Sequence, residues 1–273
     1  MKYPKKLKDG AAVGLICCGS AVSGYRAGQC VSFIEKLGYK AVAADNLATD
    51  YAGFLADKGA VRGKWINKMF GDPGIDAVFC VRGGYGAAGA MPYIDLDLIK
   101  KNPKIFVGYS DVTCLHLALN QICGFVRFHG PMVSSNMLDN FDGETSESFF
   151  GAVNAGDAYE FKNPRGHPVS VLKEGKAEGV LVGGNLSLLS ASVGTFYEVD
   201  TENKILFMEE VTESVGRLDR YARHLLNSGK LRNCAGIILG QFKECFNENR
   251  PDYGALECLI SGEFSSLKSS STK

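Results

Sequence analysis

Four residues in a row, Gly108-Tyr109-Ser110-Asp111, stand where an apolar run over residues 104–108 gives way to helix-spaced residues 112–120. A serine on such a turn faces backbone N–H groups and the positive end of a helix dipole, a setting that favours developing negative charge. This is the logic of a nucleophile elbow, although the spelling is not G-x-S-x-G. The same residue types equally suit simple capping of the helix by Ser110 or Asp111. One strand earlier, Arg82-Gly83-Gly84-Tyr85-Gly86 follows the apolar residues 77–81. Adjacent glycines let backbone approach a ligand closely, as an oxyanion hole or anion cradle requires, or else shape a tight connection. The loop has neither a Walker lysine nor G-x-G-x-x-G spacing, which argues against a phosphate loop. Arg82 suits a bidentate grip on a substrate carboxylate or a salt bridge within the fold.

Glu209-Glu210 ends another apolar run, and Glu213, Arg217, Asp219 and Arg220 follow. A carboxylate at a strand end can orient a histidine as the third member of a triad. For Glu210 and Glu213 the preferred reading is a solvated helix start. Gly183-Gly184-Asn185-Leu186-Ser187 is a glycine turn leading into a helix, with packing as its default role. None of the four histidines has a context that marks it as a base: His116 is expected to be packed, His129 lies near a turn, His167 falls in a turn-rich stretch, and His224 sits on a charged helix. The nine cysteines are scattered, form no C-x-x-C pair and mostly occupy apolar stretches, so they read as small buried hydrophobes in a reducing compartment. Clustered Cys/His spacing of a metal site is missing, and neither a metal nor a cofactor is expected.

These residues need elements to hold them. Apolar runs at 11–18, 40–43, 77–81 and 104–108 alternate with helix-like segments at 30–37, 61–70 and 112–120. That rhythm implies a parallel sheet covered by helices, with ligands beyond the carboxyl ends of the strands. Around residues 139–170 turn-forming residues take over. Strand-like runs then recur at 179–182, 204–208 and 235–239, with a helix over 218–228. The expected fold is α/β: an N-terminal parallel-sheet sandwich over residues 1–150, a linker at 151–170, and a smaller β-rich α/β domain over 171–273. The 273 residues carry 30 Lys+Arg against 30 Asp+Glu, and this zero net charge argues against bulk electrostatic binding of nucleic acid or an anionic membrane. No apolar run approaches the roughly 18–20 residues of a membrane span, and no signal core follows the basic N-terminus.

The ordered set of motifs is similar to the LD-carboxypeptidase family of serine peptidases, which includes the microcin C immunity-type hydrolases. The resemblance rests on Val81-Arg82-Gly83-Gly84-Tyr85-Gly86, Gly108-Tyr109-Ser110-Asp111, Phe128-His129-Gly130-Pro131-Met132, Gly183-Gly184-Asn185-Leu186-Ser187, Phe207-Met208-Glu209-Glu210-Val211 and Leu218-Asp219-Arg220, and runs from Lys8 to about Ile260. It implies a metal-independent Ser–His–Glu hydrolase of the bacterial cytoplasm that releases terminal D-alanine from murein tetrapeptides. Ser110 would be the nucleophile and Glu209 the residue orienting the histidine, with the N–H groups of Gly84 and Asp111 as the oxyanion hole. Arg82, Gly83 and Tyr85 would contact the murein peptide. The resemblance also implies a homodimer and an active site between the two domains.

One feature departs from the family pattern. The family's catalytic histidine belongs to a Gly-His segment after the equivalent of Ile260, whereas residues 261–273 here are serine-rich and polar, and no histidine follows His224. The tail reads as if the frame had changed or the chain had been cut short. The expectation is therefore an impaired hydrolase. The alternatives are a catalytically dead member that binds a peptide or nucleotide-peptide, a microcin C immunity-type hydrolase, and substitution of the base by His129 or another histidine.

Overall fold

A computed structural model of the chain describes residues 1–156, 158–166 and 168–245. His167, Cys258 and the tail at 261–273 lie outside the described residues. The chain divides into two compact units, Met1–His167 and Pro168–Lys273.

The first unit runs β1 (Ala12–Ile16), α1 (Gly24–Lys36), β2 (Lys40–Ala43), α2 (Gly59–Gly71), β3 (Ala77–Cys80), α3 (Leu96–Lys101), β4 (Ile105–Gly108), α4 (Thr113–Gln121), β5 (Phe128–His129), α5 (Leu138–Asn140) and α6 (Gly143–Asn154). Its five strands are all parallel, in the order β2-β1-β3-β4-β5. β3 and β4 are buried at every position, as continuous apolar runs covered on both faces must be, whereas the edge strand β2 is largely exposed. The core gathers Phe70, Phe106 and Phe125, with Phe70 6.0 Å from Phe106 and 6.2 Å from Phe125 between ring centroids. The chain moves from β1 outward to β2, then returns to β3 on the other side of β1. This reversal opens a crevice at the carboxyl ends of β1 and β3, where open α/β sheets bind ligands. The loops at Gly19-Ser20 and Arg82-Gly83-Gly84 leave the sheet at that point.

Sequence periodicity places α1 too late. The helix begins at Gly24 because Ser23 caps it, its side chain accepting from Arg26 N at 3.2 Å, and the first turns carry few apolar residues to reveal them. The turn-rich stretch after 139 contains a genuine helix, α6. Asp142 starts it by accepting from Thr145 N, and Phe149 and Val153 anchor it. The two-residue strand β5 is too short for any periodicity to announce.

The second unit contains β6 (Leu181–Asn185), α7 (Leu186–Ser192), β7 (Ile205–Val211), α8 (Val215–Asn227) and β8 (Gly236–Lys243), with a parallel sheet ordered β6-β7-β8. A helix follows each of the first two strands, so this smaller unit repeats the strand–helix logic of the first. Gly183 has φ 132°, and a Cβ there would lie 1.9 Å from the carbonyl oxygen of Phe207, so only glycine fits against β7. Among the described residues no helix is long and apolar enough to cross a membrane.

Candidate active site

Ser110 occupies the turn between β4 and α4 with φ 61°, a left-handed conformation that an L-residue adopts at a cost of about 1–2 kcal/mol. Such strain in a non-glycine residue persists only where the surrounding structure over-determines it, and it clusters at functional sites. The turn is braced from beneath. The Gly108 carbonyl accepts from Gly130 N at 3.2 Å and from Nε2–H of the buried His116 at 2.7 Å. The donor role fixes the tautomer, leaving Nδ1 of His116 without a hydrogen-bond partner among the described residues, and burial pushes its pKa well below the usual imidazole range. His116 is thus a neutral structural histidine, as its helix position suggested. His129 pairs with Gly108 in the β4–β5 register, and its ring lies 5.7 Å from Tyr109. Crowding by protein and the nearby Arg127 guanidinium lower its pKa, although the residue keeps a solvent-open surface that moderates the effect of burial.

The glycine loop after β3 runs directly against Ser110. A Cβ on Gly83 would sit 3.2 Å from Ser110 Cβ and 3.4 Å from its Oγ, and one on Gly84 (φ 95°) would sit 2.3 Å from Ser20 Oγ. Ser20 laces the loop to β1: its N–H donates to Gly83 O at 3.2 Å and its Oγ accepts from Tyr85 N at 3.1 Å. Among the described residues no acceptor takes the Gly84 N–H. The Asp111 N–H belongs to the first turn of a short 3₁₀ segment, Ser110–Val112, where it has no intrahelical acceptor. Arg82 is half-buried and donates to Ala21 O at 3.1 Å, so among the described residues its tie is to a backbone carbonyl and not to a carboxylate. Tyr85 is exposed, and its ring lies 5.9 Å from that of Phe54, which is exposed to a lesser degree. The structure therefore brings together Ser110, Asp111, Gly83, Gly84, Tyr85 and Arg82 at one end of the first sheet.

Glu209 belongs to the other unit. It lies in β7 where the pairing with β8 shifts register between Met208 and Glu210. Among the described residues its buried Oε1 has no hydrogen-bond partner, and its pKa is raised to about 7 by burial and the neighbouring Glu210, with Asn185 opposing the shift. A partly buried carboxylate with such an oxygen is suited to receive a donor such as an imidazole N–H. Glu210, read from sequence as solvated, is instead buried and saturated: it accepts from Asn185 Nδ2 at 2.6 Å, Ser187 N at 2.9 Å and Val211 N at 3.0 Å. It locks the glycine turn at the start of α7. Adjacent strand residues face opposite sides, so two neighbouring glutamates have opposite fates. His224 also lies in this unit, with Nδ1 2.9 Å from Ser190 Oγ.

Sequence reasoning passed over Arg62 altogether. Its guanidinium is buried, donating from Nη1 to the carbonyls of Cys18 and Gly86, the latter at 2.6 Å, and from Nε to Asp57 O at 3.0 Å. The available signal was its phase: residues 62, 66 and 69 fall on one face of α2, and Ile66 and Met69 are core. A charge on an apolar helix face must have buried partners. The cysteines follow expectation, seven of the eight described being buried, and Cys18 Sγ lies 3.7 Å from Cys80 Sγ beneath the crevice.

Comparison with known proteins agrees with this geometry. Residues 13–130 match the LD-carboxypeptidase N-terminal domain and residues 178–269 the LD-carboxypeptidase C-terminal domain. A probable murein peptide carboxypeptidase of Bacillus subtilis is 38% identical over 261 residues, covering 94% of this chain and 80% of the relative. The crystal structure of an MccF-like protein from Bacillus anthracis superposes with a TM-score of 0.84 at 25% identity, over 98% of this chain and 88% of that one. Muramoyltetrapeptide carboxypeptidase from Oxalobacter formigenes shares the fold with a TM-score of 0.79 at 24% identity, over 94% of this chain and 86% of that one.

Proposed function

The chain belongs to the LD-carboxypeptidase family, and from that premise we propose that it is a serine peptidase acting on murein tetrapeptides to release the terminal D-alanine. The observation that carries this reading is the left-handed Ser110 at the β4–α4 turn, pressed against the glycine loop that ends β3. Ser110 Oγ attacks the carbonyl of the L,D-peptide bond. The Gly84 and Asp111 N–H groups receive the oxyanion in the tetrahedral intermediate, where such donors are worth most. Arg82 and Tyr85 contact the peptide, with Arg82 matched to its terminal carboxylate. Glu209 orients the histidine that takes and returns the serine proton. The reaction needs no metal and belongs in the bacterial cytoplasm, and the protein works as a homodimer.

Loss of a triad serine removes most of the rate and leaves a residual of roughly 10³–10⁴ over water from the oxyanion hole and binding. D-alanine release from a murein tetrapeptide, followed with excess protein, is expected to fall to that residual level in Ser110→Ala. Release that Ser110→Ala leaves intact refutes the nucleophile. The Oε1 of Glu209, without a partner among the described residues, favours a second reading, a family member that binds peptide or nucleotide-peptide without cleaving it. Calorimetric binding of tetrapeptide with no release supports that reading, and absence of binding removes it.

A further inference from the structure

Two buried ionic groups outside the proposed triad converge on one peptide unit, that between Gly86 and Ala87. Arg62, from α2, donates to the carbonyl of Gly86 at 2.6 Å and to that of Cys18, at the end of β1. The Oδ2 of Asp111, one residue past Ser110, accepts from Ala87 N at 2.8 Å, the amide of the same Gly86–Ala87 peptide whose carbonyl Arg62 holds. Arg62 and Asp111 are almost completely buried, at 3% exposure each. No hydrogen bond joins them directly among the described residues; the Gly86–Ala87 peptide lies between them, polarised at its amide by the anion and at its carbonyl by the cation. A Cβ on Gly19 would lie 2.1 Å from Asp111 Oδ2 and 2.9 Å from Tyr85 O, so β1 closes over the same point.

A buried guanidinium and carboxylate are costly to desolvate, and apolar packing would serve stability at least as well. Their placement is better explained by what they hold. Gly86 ends the loop that carries Gly84, and Asp111 carries the other N–H facing Ser110. We infer that Arg62 and the Asp111 side chain are positioning residues that clamp the Gly86–Ala87 peptide by its carbonyl and its amide, and so set the spacing of the Gly84 and Asp111 N–H donors. The inference rests on the proposed role of Ser110 and adds two side chains that never touch the reacting atoms.

The test compares the full chain with Arg62→Met, Arg62→Lys and Asp111→Asn. Three quantities are read: tetrapeptide affinity by calorimetry, D-alanine release at saturating peptide, and amide hydrogen exchange at Gly84, Tyr85 and Asp111. Affinity is expected to hold. Release is expected to fall roughly tenfold or more in Arg62→Met and Asp111→Asn, since losing one oxyanion donor outright costs about 10²–10³. Arg62→Lys should recover part of the loss, and faster exchange should be confined to the loop amides. A folded Arg62→Met with unaltered release and unaltered loop exchange overturns the clamp. If that variant does not fold, Arg62→Lys and Asp111→Asn decide, and wild-type exchange in both overturns it. Release that is nil or independent of Ser110 defeats the peptidase reading instead, while the exchange measurement still judges the clamp.

Discussion

Asp111, buried, and Glu209, partly buried, are both carboxylates near the carboxyl end of a parallel strand, one in each unit, and both have pKa values raised by desolvation. Their surroundings then diverge. Around Asp111 the fold supplies the Gly86 and Ala87 N–H groups and the Arg62 cation, all of which oppose the upward shift. Around Glu209 it supplies one opposing contact, from Asn185, and a second carboxylate, Glu210, that pushes the same way. The first unit settles its charge internally, as a preorganised site must if it is to stabilise charge without rearranging. The second leaves an oxygen unserved among the described residues, as fits a carboxylate whose partner comes from elsewhere.

The contrast can be broken most severely at Glu210, the saturated neighbour of Glu209. Glu210→Ala strips the acceptor from Asn185 Nδ2, Ser187 N and Val211 N at once and is expected to destabilise the second unit by about 3–5 kcal/mol. A urea melt monitored by circular dichroism would measure it, and a loss below about 1 kcal/mol would show that water replaces the carboxylate. Glu209→Gln should act in the opposite sense. Between the ordinary glutamate range and about 7, the unfolded chain has ionised while the folded Glu209 remains protonated, so stability falls as pH rises through that window and the loss is complete above it. The shift corresponds to about 3 kcal/mol. Glu209→Gln is therefore expected to flatten the dependence and to be the more stable protein at pH 8. Equal pH profiles for the two proteins would contradict the burial argument. The smallest effect belongs to the first unit: Ser110→Gly relieves the left-handed strain and should stabilise it by up to about 1 kcal/mol, after the added freedom of the unfolded chain is counted. A thermal melt showing destabilisation would mean that the turn is not strained.

Much of this site was legible before any coordinates. Ser110 and the Gly83-Gly84 pair could be found because strand-to-helix turns in parallel sheets are marked by apolar runs that stop at small residues, and chemistry concentrates there. Glu209 was legible as a strand-end carboxylate. Arg62 was not, because its partners are backbone carbonyls 44 and 24 residues away, which no local pattern reveals. Glu210 was misread because consecutive carboxylates usually imply solvent, and only the pleat of β7 decides which of two neighbours turns inward. Helix α6 was hidden by the turn-forming residues that cap it.

By itself the sequence determined the strand–helix alternation, the buried character of the cysteines, the family, and the residue types available for acyl transfer. These follow from periodicity and local chemistry, which act over a few residues. The tertiary structure alone decided the left-handed backbone of Ser110, the clamp on the Gly86–Ala87 peptide, the neutral tautomer of His116 and the opposite fates of Glu209 and Glu210. Each of these depends on which distant backbone groups approach a given atom. Burial then magnifies the consequence, because a polar group removed from water must find its partner in the fold or remain without one.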